Sequence, residues 1–352
     1  MPPVPKPPAA SLSVGAEPAE RGRPQMSDLA RLAGVSVATV SRALSGSAEV
    51  SPATRVRIGE LARSLNYTVN AGAKSLRTKV KRTVALVIPR DPAADQPISD
   101  PFFLAMIGQL ADALTSRGLD VLLSRVMPDQ LGRVYDSGAA TGILQLGQWH
   151  HHADLNALAR RGVPLVVWGA LLPDQAYCCV GCDNLEGGRL AAEHLMAQGR
   201  RRIVFIGDRS LPESEARWQG CERALQAHGL ALDPALHLSV PCDTERTRAA
   251  LQTLLDRGER FDAVFCCSDV MAIAAQALLR QSGLKVPADV SVVGYDDIAW
   301  AAHADPPLTT VRQALAPAVE AMVGALLRLG AGEPVRSVQL PVELVVRQSS
   351  VH

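Results

Sequence analysis

Aromatic side chains are scarce, at 4% of 352 residues, while 47% of the chain is hydrophobic. The apolar content is therefore mostly aliphatic, which suits large packed cores and excludes fibrous and intrinsically disordered classes. No apolar run reaches the roughly 18 residues needed to span a bilayer. Prolines also interrupt residues 1–25, where an export signal would need a continuous apolar stretch. No membrane association is expected, and the expected compartment is the cytoplasm. Seven cysteines, an odd number without an export signal, read as buried thiols rather than a disulfide framework. Cys179-x-x-Cys182 matches half of a metal site, but no second pair lies nearby and 177–182 reads as a buried strand. His150-His151-His152 reads as a polar loop or helix start, because three consecutive side chains cannot easily converge on one ion. No metal and no cofactor are expected.

What is present is uneven. The formal net charge of +1 conceals a split: residues 21–82 hold twelve Lys and Arg against three acids, a net of +9, and the remainder carries −8. A basic segment on an otherwise mildly acidic chain is a surface for a polyanion, and the phosphate backbone of DNA is the natural one. Within that segment, residues 33–44 read Ala-Gly-Val-Ser-Val-Ala-Thr-Val-Ser-Arg-Ala-Leu. The pattern predicts a helix, a Gly-centred turn and a second helix capped by the Ser36 hydroxyl, the outline of a helix-turn-helix.

Residues 1–25, rich in Pro, Ala and Gly, read as a disordered tail, with Met26 an alternative start. Ser27 is the expected cap of a first helix over 28–33; helices over 37–44 and from 52 to about 65 follow. Leu29, Leu32, Val40, Leu44, Val56, Ile58, Leu61 and Leu65 are the expected core of this domain, 26–69. Linker 70–82 leads into apolar strand signals at 84–88, 121–123, 142–146, 165–167, 203–206, 263–266 and 291–294. Helical patterns at 103–116, 187–198 and 270–282 lie between them. Continuous apolar strands alternating with amphipathic helices predict α/β architecture, with parallel sheets covered on both faces and enough chain for two.

The chain from about Met26 resembles the lactose-repressor/galactose-repressor (LacI-type) family of bacterial transcription regulators. The resemblance rests on Ser27-Asp28-Leu29-Ala30, Ala33-Gly34-Val35-Ser36, Thr39-Val40-Ser41-Arg42 and Leu65-Asn66-Tyr67. It continues through Asp100-Pro101-Phe102-Phe103, Asp183-Asn184, Gly294-Tyr295-Asp296-Asp297, Pro307-Leu308-Thr309-Thr310-Val311 and Leu344-Val345-Val346-Arg347. It implies a three-helix helix-turn-helix domain, a hinge helix, and an effector-binding and dimerisation core over 83–352. That core would resemble a periplasmic binding protein: two Rossmann-like lobes joined by three crossovers, one spanning about 83–182 and 312–335, the other 183–311 and 336–352. The chain ends three residues after Ser349, without the helical tail of the family's tetramer-forming member, so a homodimer is expected.

A helix that enters the major groove N-terminus first would place Val37, Ala38, Ser41 and Arg42 near base edges, with Arg42 the candidate for guanine. Val37 and Ala38 offer only apolar contact, while Ser36 and Thr39 would hold phosphates; packing of Val37 into the domain core is the alternative. In the linker, Asn70 could cap a short helix over 71–77, too short to persist alone. The resemblance implies that it forms when two subunits pair over the minor groove, with Leu76 wedged into the central base step and Ala73 facing its partner.

Ligands in such α/β folds sit at the carboxyl ends of the strands. Phe102, Phe103, Trp149, Trp168, Arg217 and Asp296 meet that condition. The resemblance matches Arg217, Asp296, Phe102 and Phe103 to effector positions, together with Ser268, Asp269 and Gln313. A carboxylate facing a guanidinium across aromatic rings suits the vicinal hydroxyls of a mono- or disaccharide; direct pairing of Arg217 with Asp296 is the alternative. No catalytic constellation stands out. The expected function is a sugar-responsive DNA-binding repressor; a sugar-binding protein or sugar-acting enzyme without a regulatory role is the competing reading.

Overall fold

The computed structural model describes residues 25–65, 67, 82–90, 96–127 and 130–351. Residues 1–24 of the expected tail and the hinge residues Asn70, Ala73 and Leu76 lie outside them, whereas Gln25, expected in the tail, is described. The chain divides into two compact units, Met1–Val80 and Lys81–His352.

The first unit contains α1 (Met26–Ala33), α2 (Val37–Leu44) and α3 (Pro52–Ser64). Helix α1 begins earlier than expected: Gln25, not Ser27, is its cap residue, and the Asp28 carboxylate accepts the Gln25 N–H at 2.9 Å. Gly34 ends α1 at φ +61°, a left-handed conformation that a side chain would strain. Ser36 then caps α2 by accepting the Thr39 N–H at 3.1 Å, and Ser51 caps α3, where Pro52 takes the first-turn position that needs no donor.

Leu29, Ala30, Ala33, Val40, Ala43, Val50, Ile58 and Ala62 form the core where the three helices meet. Two expected members are outside it, Leu32 at 51% and Val56 at 59% exposed. Each helical position turns the side chain by about 100°, so Leu32 lies a full step from Ala33, and Val56 stands nearly opposite Ile58. Ala30, Ala33, Ala43 and Ala62 share the interior with Leu29, Val40, Val50 and Ile58.

The second unit is two sheets covered by helices. Its first lobe contains β1 (Thr83–Val87), α4 (Pro101–Thr115), β2 (Asp120–Ser124), α5 (Leu131–Asp136), β3 (Gly142–Leu146), α6 (His152–Arg160), β4 (Leu165–Trp168) and β5 (Cys178–Cys182). The second contains α7 (Asn184–Ala197), β6 (Ile203–Ile206), α8 (Pro212–Ala227), β7 (His237–Leu238), α9 (Thr244–Asp256), β8 (Ala263–Cys266), α10 (Asp269–Gln281), β9 (Ser291–Asp296) and β10 (Thr309–Gln313). The chain returns to the first lobe for α11 (Leu315–Gly330) and β11 (Val338–Leu340), then crosses once more for β12 (Val342–Val345).

Strand order is β11-β5-β4-β3-β1-β2 in one sheet and β12-β10-β9-β8-β6-β7 in the other, all parallel except β10 with β12. The later crossings therefore fall at Ala314 and Pro341 rather than after 311 and 335, because β10 completes its pairing with β9 and β11 pairs with β5 before the chain changes sheet. Strands β3, β4 and β5 are buried along their whole length, the mark of a sheet covered on both faces.

Candidate functional site

In the first unit, α2 presents Val37 (47% exposed), Ala38 and Arg42 to solvent, with Thr39 half-buried and Ser36 exposed at the cap. Val37 thus does not pack into the domain core. Ser41 departs from the sequence reading: it is only 6% exposed. It shares the inward face of α2 with Val40 and Leu44, three and four positions being one turn, so base contact would require it to leave the core. Arg42 rests on Glu49, Nε to carboxylate 3.1 Å, with both side chains more than half exposed. Such a pair contributes at most about 1 kcal/mol and yields readily to a base edge or phosphate. Other basic residues hold structure: Arg57 donates to the Ala33 carbonyl at 2.7 Å, and Arg55 to the Gly46 and Ser47 carbonyls at 3.2 Å. The net positive charge thus overstates the number of cations free for a polyanion.

In the second unit, the carboxyl ends of both sheets face one cavity. Phe102, Phe103, Trp149, Trp168, Arg217, Ser268, Asp296 and Gln313 all line it. The first lobe supplies the rings, from the N-terminus of α4 and the ends of β3 and β4. Trp168 lies 6.0 Å from Phe102, Phe102 6.1 Å from Phe103, and Phe103 6.3 Å edge-on from Trp149, centroid to centroid. Such spacings are those of attractive aromatic pairs, so the wall holds its shape without a ligand. Trp149 adopts φ +40°, strained for a bulky residue. The buried Gln148 amide anchors that turn, donating to the Ala170 carbonyl at 2.7 Å and the Tyr177 hydroxyl at 2.9 Å while accepting the Ala170 N–H at 2.9 Å.

The second lobe supplies the charge. Helices α7 and α8 approach so closely that a Cβ on Gly188 would strike the Arg217 carbonyl and one on Gly220 the Leu185 carbonyl. From α8 the Arg217 guanidinium lies over the Tyr295 ring, its Cζ 3.5 Å from the centroid. Its Nε donates to Asn184 Oδ1 at 2.8 Å and its Nη1 to the Cys267 carbonyl. Asp296 ends β9 at φ +117° and accepts from Gln313 Nε2 at 2.7 Å. Burial pushes its carboxyl well above the usual carboxylate range, and Arg217 pulls it back. The two charges make no ion pair with each other; each is held by its own neighbours and left facing the cavity.

Asp269 is the exception among the expected cleft residues. It is fully buried, accepting the Ile298 N–H at 2.9 Å and the Thr310 hydroxyl at 2.5 Å, and it does not line the cavity. The first turn of α10 aims it at β9, where only a glycine at 294 leaves room for its carboxylate. There it braces the backbone after Asp296. The next residue, Asp297, is also left-handed at φ +55° and is gripped by Arg347 and Arg312, each at 2.7 Å.

Sequence reasoning missed Gln96, Gln148, Asp208, Glu213, Ser214, Cys242 and Cys267, which also line the cavity. Most sit within a few residues of a strand's carboxyl end, and that position was the available signal. The lobes also touch across the cleft: His150 Nε2 lies 3.1 Å from Ser210 Oγ, and Ser210 donates to Asp208 at 2.7 Å. His152 instead hydrogen-bonds the Tyr177 hydroxyl at 3.0 Å. The seven cysteines are free thiols, six of them buried. Among the described residues no helix is long and apolar enough to cross a membrane.

Comparison with known proteins agrees with this division of labour. Residues 25–70 match the model of bacterial regulatory proteins, lacI family, and residues 192–350 that of a periplasmic binding protein-like domain. The HTH-type transcriptional regulator CelR of Thermobifida fusca is 36% identical over 338 residues, 94% of this chain and 99% of that protein. A solved CelR–cellobiose complex superposes with TM-score 0.68 at 34% identity, covering 93% of this chain and all of the other. The lac repressor dimer bound to operator and the anti-inducer ONPF gives TM-score 0.80 over 94% of this chain and all of the other; at 24% identity it speaks to the fold alone.

Proposed function

The chain belongs to the lacI family of bacterial regulatory proteins, and we propose that it is a cytoplasmic, non-enzymatic repressor whose hold on operator DNA is set by a sugar in the cleft between its two lobes. The observation that supports this most is the composition of the cleft, with a wall of four rings on one lobe facing a separately held guanidinium and carboxylate on the other. Rings stack on the apolar faces of a sugar, while Asp296 and Arg217 take its hydroxyls from the opposite side. Phe102, Phe103, Trp149, Trp168, Arg217, Ser268, Asp296 and Gln313 are the proposed effector contacts, with Asp269 behind them as a brace. A mono- or disaccharide fits this chemistry, and cellobiose, which the related CelR binds in its solved complex, is the first to test.

At the DNA end, Val37, Ala38 and Arg42 read base edges while Ser36 and Thr39 contact phosphates. Two copies bind together, each adding Asn70, Ala73 and Leu76 at the minor groove. Leu104 near the start of α4, with Leu122 and Leu123 on the edge strand β2, are exposed apolar residues available to a second copy. A ligand changes DNA affinity only through its different affinity for the open and closed cleft, and the linker 70–82, the covalent path between the units, receives that change.

The test is selection of binding sites from random DNA by the full-length protein, with and without cellobiose. A pseudo-palindromic operator whose retention changes with sugar is the expected outcome; asymmetric sites, or retention indifferent to every mono- and disaccharide tried, would overturn the proposal. Arg42→Ala is expected to relax base choice at one position per half-site at a cost of about 1–3 kcal/mol.

A further inference from the structure

Among the described residues, carboxyl groups outnumber cations in the lining of the cleft. Asp208, Glu213 and Asp296 line it, and among the lining residues Arg217 is the one Lys or Arg. That guanidinium is largely engaged already, donating to Asn184 and the Cys267 carbonyl and stacking on Tyr295. A fourth carboxylate stands just behind the lining: Asp100 caps α4 through the Phe102 N–H at 2.9 Å, and its other oxygen lies 3.8 Å from Sγ of the lining Cys242.

Of these carboxylates Glu213 is the least committed to the protein's own side chains. Asp208 holds the Ser210 hydroxyl and Asp296 holds Gln313. Glu213, in the first turn of α8, faces the Gln148 backbone N–H across the cleft; burial raises its carboxyl, and Arg217 draws it down. It therefore sits where the lobes close on a ligand and where little water remains to screen a second charge.

We infer that the cleft admits uncharged saccharides and rejects their acidic derivatives, aldonates, uronates and sugar phosphates, and that Glu213 is the residue that sets this discrimination. The inference rests on the saccharide reading above and adds to it the charge class of the ligand. A sugar hydroxyl donates to or accepts from Glu213 and Asp296 whichever form they take, whereas a carboxylate or phosphate in its place is stripped of water beside the engaged Arg217, with no free cation among the described lining residues to pair with, and presses its charge on carboxyls whose ionisation burial already disfavours. The aromatic wall cannot make this distinction, because the ring faces of a sugar and of its acid are alike. Selection against anions therefore falls to the second lobe.

Isothermal titration of the full-length protein with matched pairs tests this: cellobiose against cellobionate, and glucose against glucose 6-phosphate, at one pH and salt concentration. Like charges brought together at an interface weaken binding substantially, so the acid or phosphate is expected to bind roughly 100-fold less tightly than its parent sugar. In Glu213→Gln, nearly isosteric and checked for intact folding by thermal unfolding, that ratio is expected to shrink about tenfold. Asp208→Asn, whose carboxylate is occupied by Ser210, is expected to move it less. An acid that binds as tightly as its parent sugar overturns the inference and leaves the saccharide reading standing. Binding of the anions where the sugars do not bind overturns both. An undiminished ratio in folded Glu213→Gln removes Glu213 as the determinant.

Discussion

The two lobes of the second unit share one plan, six strands apiece with helices on both faces, yet they furnish the cleft with different chemistry. The first contributes Phe102, Phe103, Trp149 and Trp168, rings that hold one another in place; the second contributes Arg217, Asp296, Glu213 and Asp208, charges each held by separate neighbours. Stacking is broad and tolerant, whereas buried charge is demanding about what it faces. The comparison teaches that affinity and selectivity can be divided between lobes, so that neither alone recognises a sugar and closure is needed to join them.

Removing the central charge should do the most damage. Arg217→Ala leaves the buried Asn184 side-chain oxygen and the Cys267 carbonyl without their donor and strips the face of Tyr295, and each buried polar group left unsatisfied costs about 1–3 kcal/mol. Calorimetry is expected to show a marked fall in unfolding temperature as well as no detectable sugar binding. A variant with unchanged stability would show that the neighbours holding Arg217 do not depend on it as the comparison requires.

The first lobe should respond differently. Trp168→Ala removes a ring from a wall that keeps three others, and the loss is expected mainly in sugar affinity, about 2 kcal/mol for a buried aromatic contact. The neutral-to-anionic binding ratio should survive it. A change in that ratio as large as the change in affinity would break the assignment of selectivity to the second lobe.

Acidity sharpens the contrast further. Burial raises the Asp269 carboxyl to about 7, partly offset by the Thr310 hydroxyl and the Ile298 N–H, so the folded state favours its protonated form. Its contribution to stability is present below the ordinary carboxylate value near 3.9 and is lost as pH rises through about 7. Asp269→Asn mimics the protonated acid, and unfolding temperatures measured across that window should depend less on pH than those of the wild type. Parallel curves for the two proteins would mean that Asp269 is ionised throughout. The smallest effect is expected at the rim: Ser210→Ala removes the His150 contact across the cleft, an exposed hydrogen bond whose loss should weaken sugar binding by no more than about fivefold.

The strands and the three N-terminal helices were legible because their signals are local. A run such as Ile203–Ile206 is apolar throughout, and Ser36 and Ser51 cap the helices that follow them. The aromatic wall was legible for the same reason, each ring lying just past a strand signal. What escaped depends on orientation and on partners distant in sequence. Nothing local distinguishes Asp269, turned beneath Gly294, from Ser268 beside it at the cavity, and Ser41 differs from Arg42 only by one step around a helix. Nothing local marks Glu213 or Asp208 as cavity residues, because it is the opposite lobe that completes the cavity they line. The crossings at Ala314 and Pro341 are fixed by which sheet offers the final pairing, a property of the assembled fold.

The central claim is that sugar in the cleft governs the grip on DNA, and the most direct test is the operator affinity of the full-length protein with and without saturating sugar, in wild type and in Asp296→Ala. Coupling between two sites is typically about 1–3 kcal/mol, so wild-type affinity should change roughly 5- to 150-fold with sugar. In Asp296→Ala the two affinities should coincide while operator binding itself persists. A variant that keeps the wild-type ratio would contradict the account, because the sensor would then lie somewhere other than this cleft.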